Sequence, residues 1–207
     1  MHKGLLITFE GGEGAGKSTL IQKVYDFLKE RYASVVRTRA PGGTKLGEHI
    51  RDLLLSKEEI ALEQRAELFL FLADRAQHVK EVIRPALEKN SLILCDRFHD
   101  STIAYQGGAR GFGEKFVEDL CLFASGNLQS DLTIYLDIDP VFGLERVKRN
   151  RPVQDRMEAE HLDFHRKIRA SFQRIASVDP ERFRMIDARE SIENVFQQAI
   201  KLIDELL

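Results

Sequence analysis

The stretch that most constrains this chain is Gly11-Gly12-Glu13-Gly14-Ala15-Gly16-Lys17-Ser18-Thr19, a GxxxxGK[ST] pattern directly after the apolar run Leu5-Leu-Ile-Thr-Phe9. Glycines at this spacing let backbone N–H groups curl around phosphate oxygens without Cβ interference. A helix must follow, because its N-terminus favours negative charge. The pattern predicts a phosphate cradle between a strand and a helix, with Lys17 reaching the β and γ phosphates and the Ser18 hydroxyl on Mg²⁺. Further β-branched runs recur at 34–38, 92–95 and 133–138, with a weaker one at 183–186. Their apolarity is continuous rather than alternating, as in strands covered on both faces. Between them lie segments of helical spacing, clearest where Ile192, Val195, Phe196, Ala199, Ile200 and Ile203 mark one face. Strands alternating with helices predict an α/β fold, a five-stranded parallel sheet flanked by helices. The longest helical stretch, 63–88, contains Pro85, which should kink or interrupt it.

At 207 residues, without internal repeats or a Pro/Gly/Ser linker, the chain reads as a single domain over 1–207. Apolar residues make up 43% and charged residues 31%, and no run approaches the ~18 apolar residues of a membrane helix. Met1-His2-Lys3-Gly4 leads into a short apolar run and then acid and glycine, unlike a signal peptide, so a cytoplasmic location is expected. Cys95 and Cys121 lack CxxC spacing and sit among apolar neighbours, as small buried hydrophobes do. Lys and Arg number 31 against 33 Asp and Glu, a formal charge of −2 that gives no global pull toward nucleic acid or an anionic membrane. Any anion site must arise from local clustering.

Such clusters exist. Arg39-Ala-Pro-Gly-Gly-Thr44 and Asp96-Arg97-Phe98 each follow a predicted strand, at the binding edge of a parallel sheet. From Arg146 to Arg156 there are five basic residues and one acid, with Pro152 opposing continuous helix, which reads as a basic loop. A guanine-reading Asn-Lys-x-Asp segment is missing, which excludes the usual GTP switch, and a motor usually needs a longer chain. A small phosphotransferase is favoured.

The segments FEGGEGAGKST, RAPGGT, LFLFLADRAQH, CDRFHDSTIAYQGGARG and the basic loop ending in DRME, in order over nearly the whole chain, resemble the thymidylate kinase family. The resemblance implies a P-loop fold with a short basic lid at about 146–157, and transfer of phosphate from Mg·ATP to dTMP to give dTDP. It also implies a homodimer. Glu13 matches the position that contacts the 3′-hydroxyl of dTMP, while Arg39 and Arg51 match positions near its phosphate. Asp96 suits the water shell of Mg²⁺, and Arg97 suits a bidentate grip on the acceptor phosphate. Phe71 and Arg75, four apart on one helix face, suit a stacked pyrimidine with a carbonyl at its rim, as matching positions do for thymine; Phe69 is either a partner in this or core. Ser101, Thr102, Tyr105 and Gln106 would bring hydroxyls and an amide to the same base and sugar if Asp100 opens a helix, with Gly107-Gly108 ending it.

The phosphate loop carries no cation at positions 12 to 15, so the resemblance implies a transition-state arginine from the lid. Arg151 is assigned to it, with Arg149 the alternative because this lid is one residue longer than the pattern. Arg146 and Arg156 would bind ATP phosphates or hold the lid. Ala40 departs from the glutamate that commonly precedes PGG in bacterial members. Another nucleoside monophosphate kinase, or a nucleotide-binding regulator without turnover, remains open; Lys17, Asp96, Arg97 and the lid arginines together disfavour the regulator.

Overall fold

The structure is a computed structural model and describes residues 4–55, 62–150 and 155–207. Five strands, β1 (Leu5–Gly11), β2 (Val35–Arg39), β3 (Leu92–Asp96), β4 (Leu132–Asp137) and β5 (Phe183–Asp187), form one sheet in the order β2-β3-β1-β4-β5. All neighbouring pairs are parallel. The register sets Arg39 beside Asp96, Asp96 beside Phe9, and Gly11 beside Leu136, so the strand ends that carry chemistry meet at one edge. β1 lies at the centre with connections leaving to both sides, which opens a crevice beyond its carboxyl end.

Both faces are covered, as the continuous apolarity requires. On one face α1 (Lys17–Lys29) and α9 (Ile192–Asp204) bury Leu20, Val24, Leu28, Val195, Ala199 and Ile203 against β1 and β4. On the other, α8 (Leu162–Val178) sets Ile168 and Phe172 against Tyr135 and Phe183. Phe172 is fully buried, and truncating such a ring to alanine costs about 3–5 kcal/mol.

The stretch containing Pro85 is three pieces: α3 (Gln64–His78), a π-helical segment Val79–Ile83, and α4 (Arg84–Glu88). Proline has no N–H for the preceding turn and its ring crowds the carbonyl four residues back, and the wide turn immediately before it takes up both faults. A second π segment, Ile103–Ala109, continues α5 (His99–Thr102), so Gly107 and Gly108 lie inside this helical run rather than ending it. In α3 the stripe facing the sheet edge is Glu67, Phe71, Asp74, Arg75 and His78, mostly polar yet buried. Phe69 points elsewhere and is 65% exposed, so it is neither core nor cleft. The remaining helices are α2 (Lys45–Leu55), α6 (Glu114–Ser125) and α7 (Pro140–Asn150). The basic run beginning at Arg146 therefore opens as the last turns of α7, where Glu145 pairs with Arg149 one turn on, and not as a loop.

Candidate active site

The phosphate loop leaves β1 at Gly11 and enters α1 through Gly16, which is left-handed (φ 91°) at the helix N-cap, a conformation that favours glycine. Gly14 has φ 71°, and a Cβ there would meet the Gly143 carbonyl oxygen of α7 at 2.0 Å. The loop thus rests directly on α7 backbone, a contact that ties its shape to a helix more than a hundred residues away. Lys17 Nζ donates to the Gly11 and Gly12 carbonyls at 2.9 and 3.2 Å, so the ammonium is held inside the curl. Burial and the Arg97 charge lower its pKa, while Glu13, Asp96 and Glu10 oppose them.

Arg97, in the turn after β3, has φ 68°, unusual for a non-glycine residue and typical of strain held at functional sites. Glu10 holds this turn. Its buried carboxylate on β1 accepts from Phe98 N at 2.7 Å, from Ser101 N at 3.3 Å and from the Ser101 hydroxyl. Burial, helped by the Asp100 charge, raises the Glu10 pKa to about 7. Arg97 donates to Ser101 Oγ at 2.9 Å and to Glu13 Oε1 at 3.0 Å, and lies 5.0 Å from the Tyr105 ring centroid. Tyr105 gives its hydroxyl to the same Glu13 oxygen at 2.7 Å. Burial works against ionisation of Glu13, but Arg97 and Lys17 outweigh it and hold its pKa at about 2.

Beyond this group opens a cleft of about 550 Å³. It brings together Glu13, Lys17, Ser18, Arg39, Arg51, Phe71, Arg75, Asp96, Arg97, Ser101, Thr102, Tyr105 and Gln106, walled on the far side by Asp155, Met157 and Glu158. Arg75 is buried with its Cζ 4.3 Å over the Phe98 ring, and it touches Thr102 Oγ1 only at 3.4 Å. Its Nε and Nη1 have no protein partner, which leaves buried donors for a ligand carbonyl. Arg39 is half exposed and pairs with Glu48 at 2.6 Å, while Arg51 donates to the Pro41 carbonyl at 3.0 Å, beyond the cis Ala40–Pro41 bond. Asp96 Oδ1 is buried and unpartnered at the cleft edge beside Ser18. An orphaned carboxylate oxygen next to a serine hydroxyl and the phosphate loop is a donor set that fits a hard, oxygen-loving cation such as Mg²⁺.

Of the lid positions, Arg146, Arg149 and Arg156 lie among the described residues. Arg146 on α7 donates to the Ala188 carbonyl at 3.1 Å. Arg156 is held by Glu67 and by the end of α2, its Nη1 2.7 Å from Glu67 Oε2 and its Nε 2.8 Å from the Leu54 carbonyl. Arg149 is 80% exposed beside Glu145, and Arg151 lies outside the described residues.

Four contributors were not singled out from the sequence: Glu10, Glu67, Asp74 and Arg110. Glu67 gathers Gln106, Arg110 and Arg156 on one buried carboxylate, and Asp74 Oδ1 accepts from Gly42 N at 2.9 Å under the Arg39 loop. Burial opposes ionisation of Glu67, but hydrogen bonds from Arg110 and Gln106 outweigh it and lower its pKa. The available signal was an acid inside an otherwise apolar strand or on the buried stripe of a helix, where an unpaired charge is too costly to persist. Among the described residues no group of three or more His, Cys, Asp and Glu side chains is placed to hold a metal.

Residues 9–199 match the family model for thymidylate kinase. A thymidylate kinase from Desulfovibrio desulfuricans is 48% identical, covering 98% of this chain and 96% of its own length. One from Protochlamydia amoebophila is 45% identical, covering 98% and 93%. The crystal structure of thymidylate kinase from Ehrlichia chaffeensis superposes with a TM-score of 0.79 at 33% identity, covering 97% of this chain and 98% of that one. With the phosphate loop, the strained Arg97 turn and the cleft at one sheet edge, these likenesses make the chain a member of the thymidylate kinase family.

Proposed function

We propose that this cleft transfers the γ-phosphoryl group of ATP to dTMP, giving dTDP for dTTP synthesis. The observation that carries the proposal is the convergence of Lys17, Arg97, Phe71 and Arg75 on one cavity. That cavity is large enough for a mononucleotide and opens onto the phosphate loop. Phe71 stacks on the thymine, the free Arg75 donors meet its carbonyl, and Gln106 and Thr102 complete the ring edge. Glu13 and Tyr105, already joined, address the sugar, where Glu13 takes the 3′-hydroxyl. Arg97, with Arg39 and Arg51, grips the acceptor phosphate bidentately.

Phosphoryl transfer through a loose transition state needs little covalent help, so positioning and charge carry the catalysis. The attacking phosphate oxygen is ionised at neutral pH and requires no general base. Gly11 to Thr19 wrap the ATP phosphates, and Lys17 leaves its two carbonyl partners to follow the β and γ oxygens. Ser18 and Asp96 would hold Mg²⁺, partly through water, and the ion would supply positive charge to neutralise the phosphates during transfer. Arg151 supplies the remaining cation.

All of 1–207 works as one kinase domain in this proposal. No helix among the described residues is long and apolar enough to cross a membrane, and a cytoplasmic site suits the two buried free cysteines. Two copies pair through the face of α3 and α6, where Phe69, Phe116 and Phe123 are 65%, 57% and 87% exposed. Light scattering on the eluting protein measures the assembly, and a monomer at micromolar concentration refutes it. The activity is tested by coupled ADP release over a panel of nucleoside monophosphates. Turnover greatest with dTMP supports the assignment, and preference for another monophosphate overturns the thymidylate part of it.

A further inference from the structure

Gln106 hands its amino group to Glu67: Nε2 lies 2.7 Å from Oε1, and both side chains are buried. A carboxylate offers only lone pairs, so the amide must turn its NH₂ to Glu67 and its carbonyl elsewhere. Arg110 donates to both carboxylate oxygens, Nε at 3.2 Å and Nη2 at 3.1 Å, and Arg156 Nη1 lies 2.7 Å from Oε2. Two guanidinium groups keep Glu67 an acceptor, with no proton to offer the amide. Gln106 lines the cleft and Glu67 does not. The carbonyl of Gln106 is therefore the group left for a ligand in the cleft, which Arg75, with Nε and Nη1 unpartnered, also lines.

We propose that Glu67 is a positioning residue that sets the hydrogen-bonding polarity of the acceptor-base pocket through Gln106. With the carbonyl turned to the cleft, the pocket takes a base that donates at ring position 3 and accepts at position 4, as thymine and uracil do. It refuses a base with the reverse pattern, as cytosine has. The inference rests on the dTMP reading of the cleft and adds a residue that lies outside it. Arg156 ties the wall at Asp155 and Met157 to the same carboxylate, because Met157 N and Asp155 Oδ1 are hydrogen bonded at 2.9 Å next to it.

The test compares dTMP with 5-methyl-dCMP, which keeps the methyl group and shape and differs only at ring positions 3 and 4. Their dissociation constants are measured by calorimetry on the wild type, Glu67→Gln, Gln106→Leu and the double variant. Glutamine at 67 can present either an oxygen or an amino group, so Gln106 is free to invert. The preference for dTMP is then expected to fall about tenfold in Glu67→Gln, the scale of one hydrogen bond. In the Gln106→Leu background the same substitution should leave the preference unchanged. Equal weakening of both nucleotides by Glu67→Gln, or an undiminished effect when Gln106 is leucine, overturns the proposal. If Glu67→Gln gives no cooperative thermal transition, Glu67→Gln with Arg156→Gln removes one cation along with the carboxylate. An unchanged preference there overturns the proposal equally. A wild type that does not prefer dTMP fails the cleft reading itself, whereas a wild type that prefers it and a Glu67→Gln variant that keeps the preference fail this inference alone.

Discussion

Arg97 Nη2 and Glu13 Oε1 lie 3.0 Å apart although 84 residues separate them in the chain, so the turn after β3 is tied directly to the phosphate loop. The tie explains how a strained residue keeps its place: Ser101, Glu13 and the Tyr105 ring fix the guanidinium on three sides. A preorganised cation of this kind contributes to the transition state without moving to meet it. Arg97→Ala is expected to lower kcat about 100- to 1000-fold with dTMP. Arg97→Lys should recover only part, because an ammonium cannot grip two phosphate oxygens and Glu13 together. Steady-state kinetics with both variants check this, and an Arg97→Ala enzyme within tenfold of wild type contradicts it.

Lys17 makes two contacts, to the Gly11 and Gly12 carbonyls, that stabilise the loop before nucleotide arrives. Lys17→Ala should nevertheless give a folded protein, since the loop is also held by its close packing at Gly14 on the Gly143 backbone of α7. Transfer should fall by about three orders of magnitude as the charge at the β and γ phosphates is lost. Circular dichroism and coupled ADP release separate the two effects. Near-normal turnover would remove the loop from the mechanism.

The lid cation is distinguished by comparing Arg149→Ala with Arg151→Ala. Arg149 is spent on Glu145 at the exposed surface of α7, at 3.7 Å, a pair worth less than about 1 kcal/mol. The expected result is a kcat loss of about 100-fold or more for Arg151→Ala, exceeding any change in ATP affinity, and near-normal behaviour for Arg149→Ala. The opposite pattern would move the catalytic role to α7.

Glu10 supplies a pH dependence. Its folded pKa of about 7 stands above the ordinary 4.5, so the folded state binds the proton more tightly than the unfolded chain. Stability from this group is then full below pH 4.5 and declines as pH rises toward 7, by roughly 3 kcal/mol in all. Glu10→Gln, which mimics the protonated form, should gain on the wild type between pH 5 and pH 8. Urea unfolding at the two pH values measures the difference, and a constant offset would rule the titration out.

The fold was legible because its determinants are local. The apolar runs of β1, β3 and β4 and the glycines of the phosphate loop are contiguous, and the α9 face repeats within a few turns. Arg39, Asp96 and Arg97 were legible too, since parallel strands deliver their carboxyl ends to one edge. Glu10, Glu67 and Asp74 were not. Each is an acid whose burial makes sense only through partners far along the chain, Ser101 being 91 residues from Glu10 and Arg110 being 43 from Glu67. Nothing in the spacing around Glu67 announces Arg110 or Arg156. The basic run after Arg146 misled for a related reason: counting cations suggested a loop, whereas Val147 is buried and Glu145 pairs with Arg149 at helical spacing.

The last prediction concerns the base and sugar. With Phe71 as the floor and Arg75, Thr102 and Gln106 around the ring, dTMP and dUMP make the same polar contacts and differ by one methyl group. One methyl in an apolar niche is worth about 1–3 kcal/mol, so dUMP should be slower by about 10- to 200-fold in kcat/KM while remaining measurable. UMP should fall lower still. Its extra hydroxyl enters beside Tyr105, whose ring is pinned by the hydroxyl bond to Glu13 at 2.7 Å and by the packing of Phe164 and Phe172 edge-on against it, at 6.2 and 6.5 Å. A ring held at both ends cannot swing aside to make room. Replacing Tyr105 with phenylalanine keeps the ring but frees Glu13, so it should raise the KM for dTMP with little gain for UMP. Replacing it with alanine opens the space and should narrow the dUMP to UMP gap. Kinetics with dTMP, dUMP and UMP on the three proteins order these effects, and an unchanged gap in Tyr105→Ala would show that another residue guards the 2′ position.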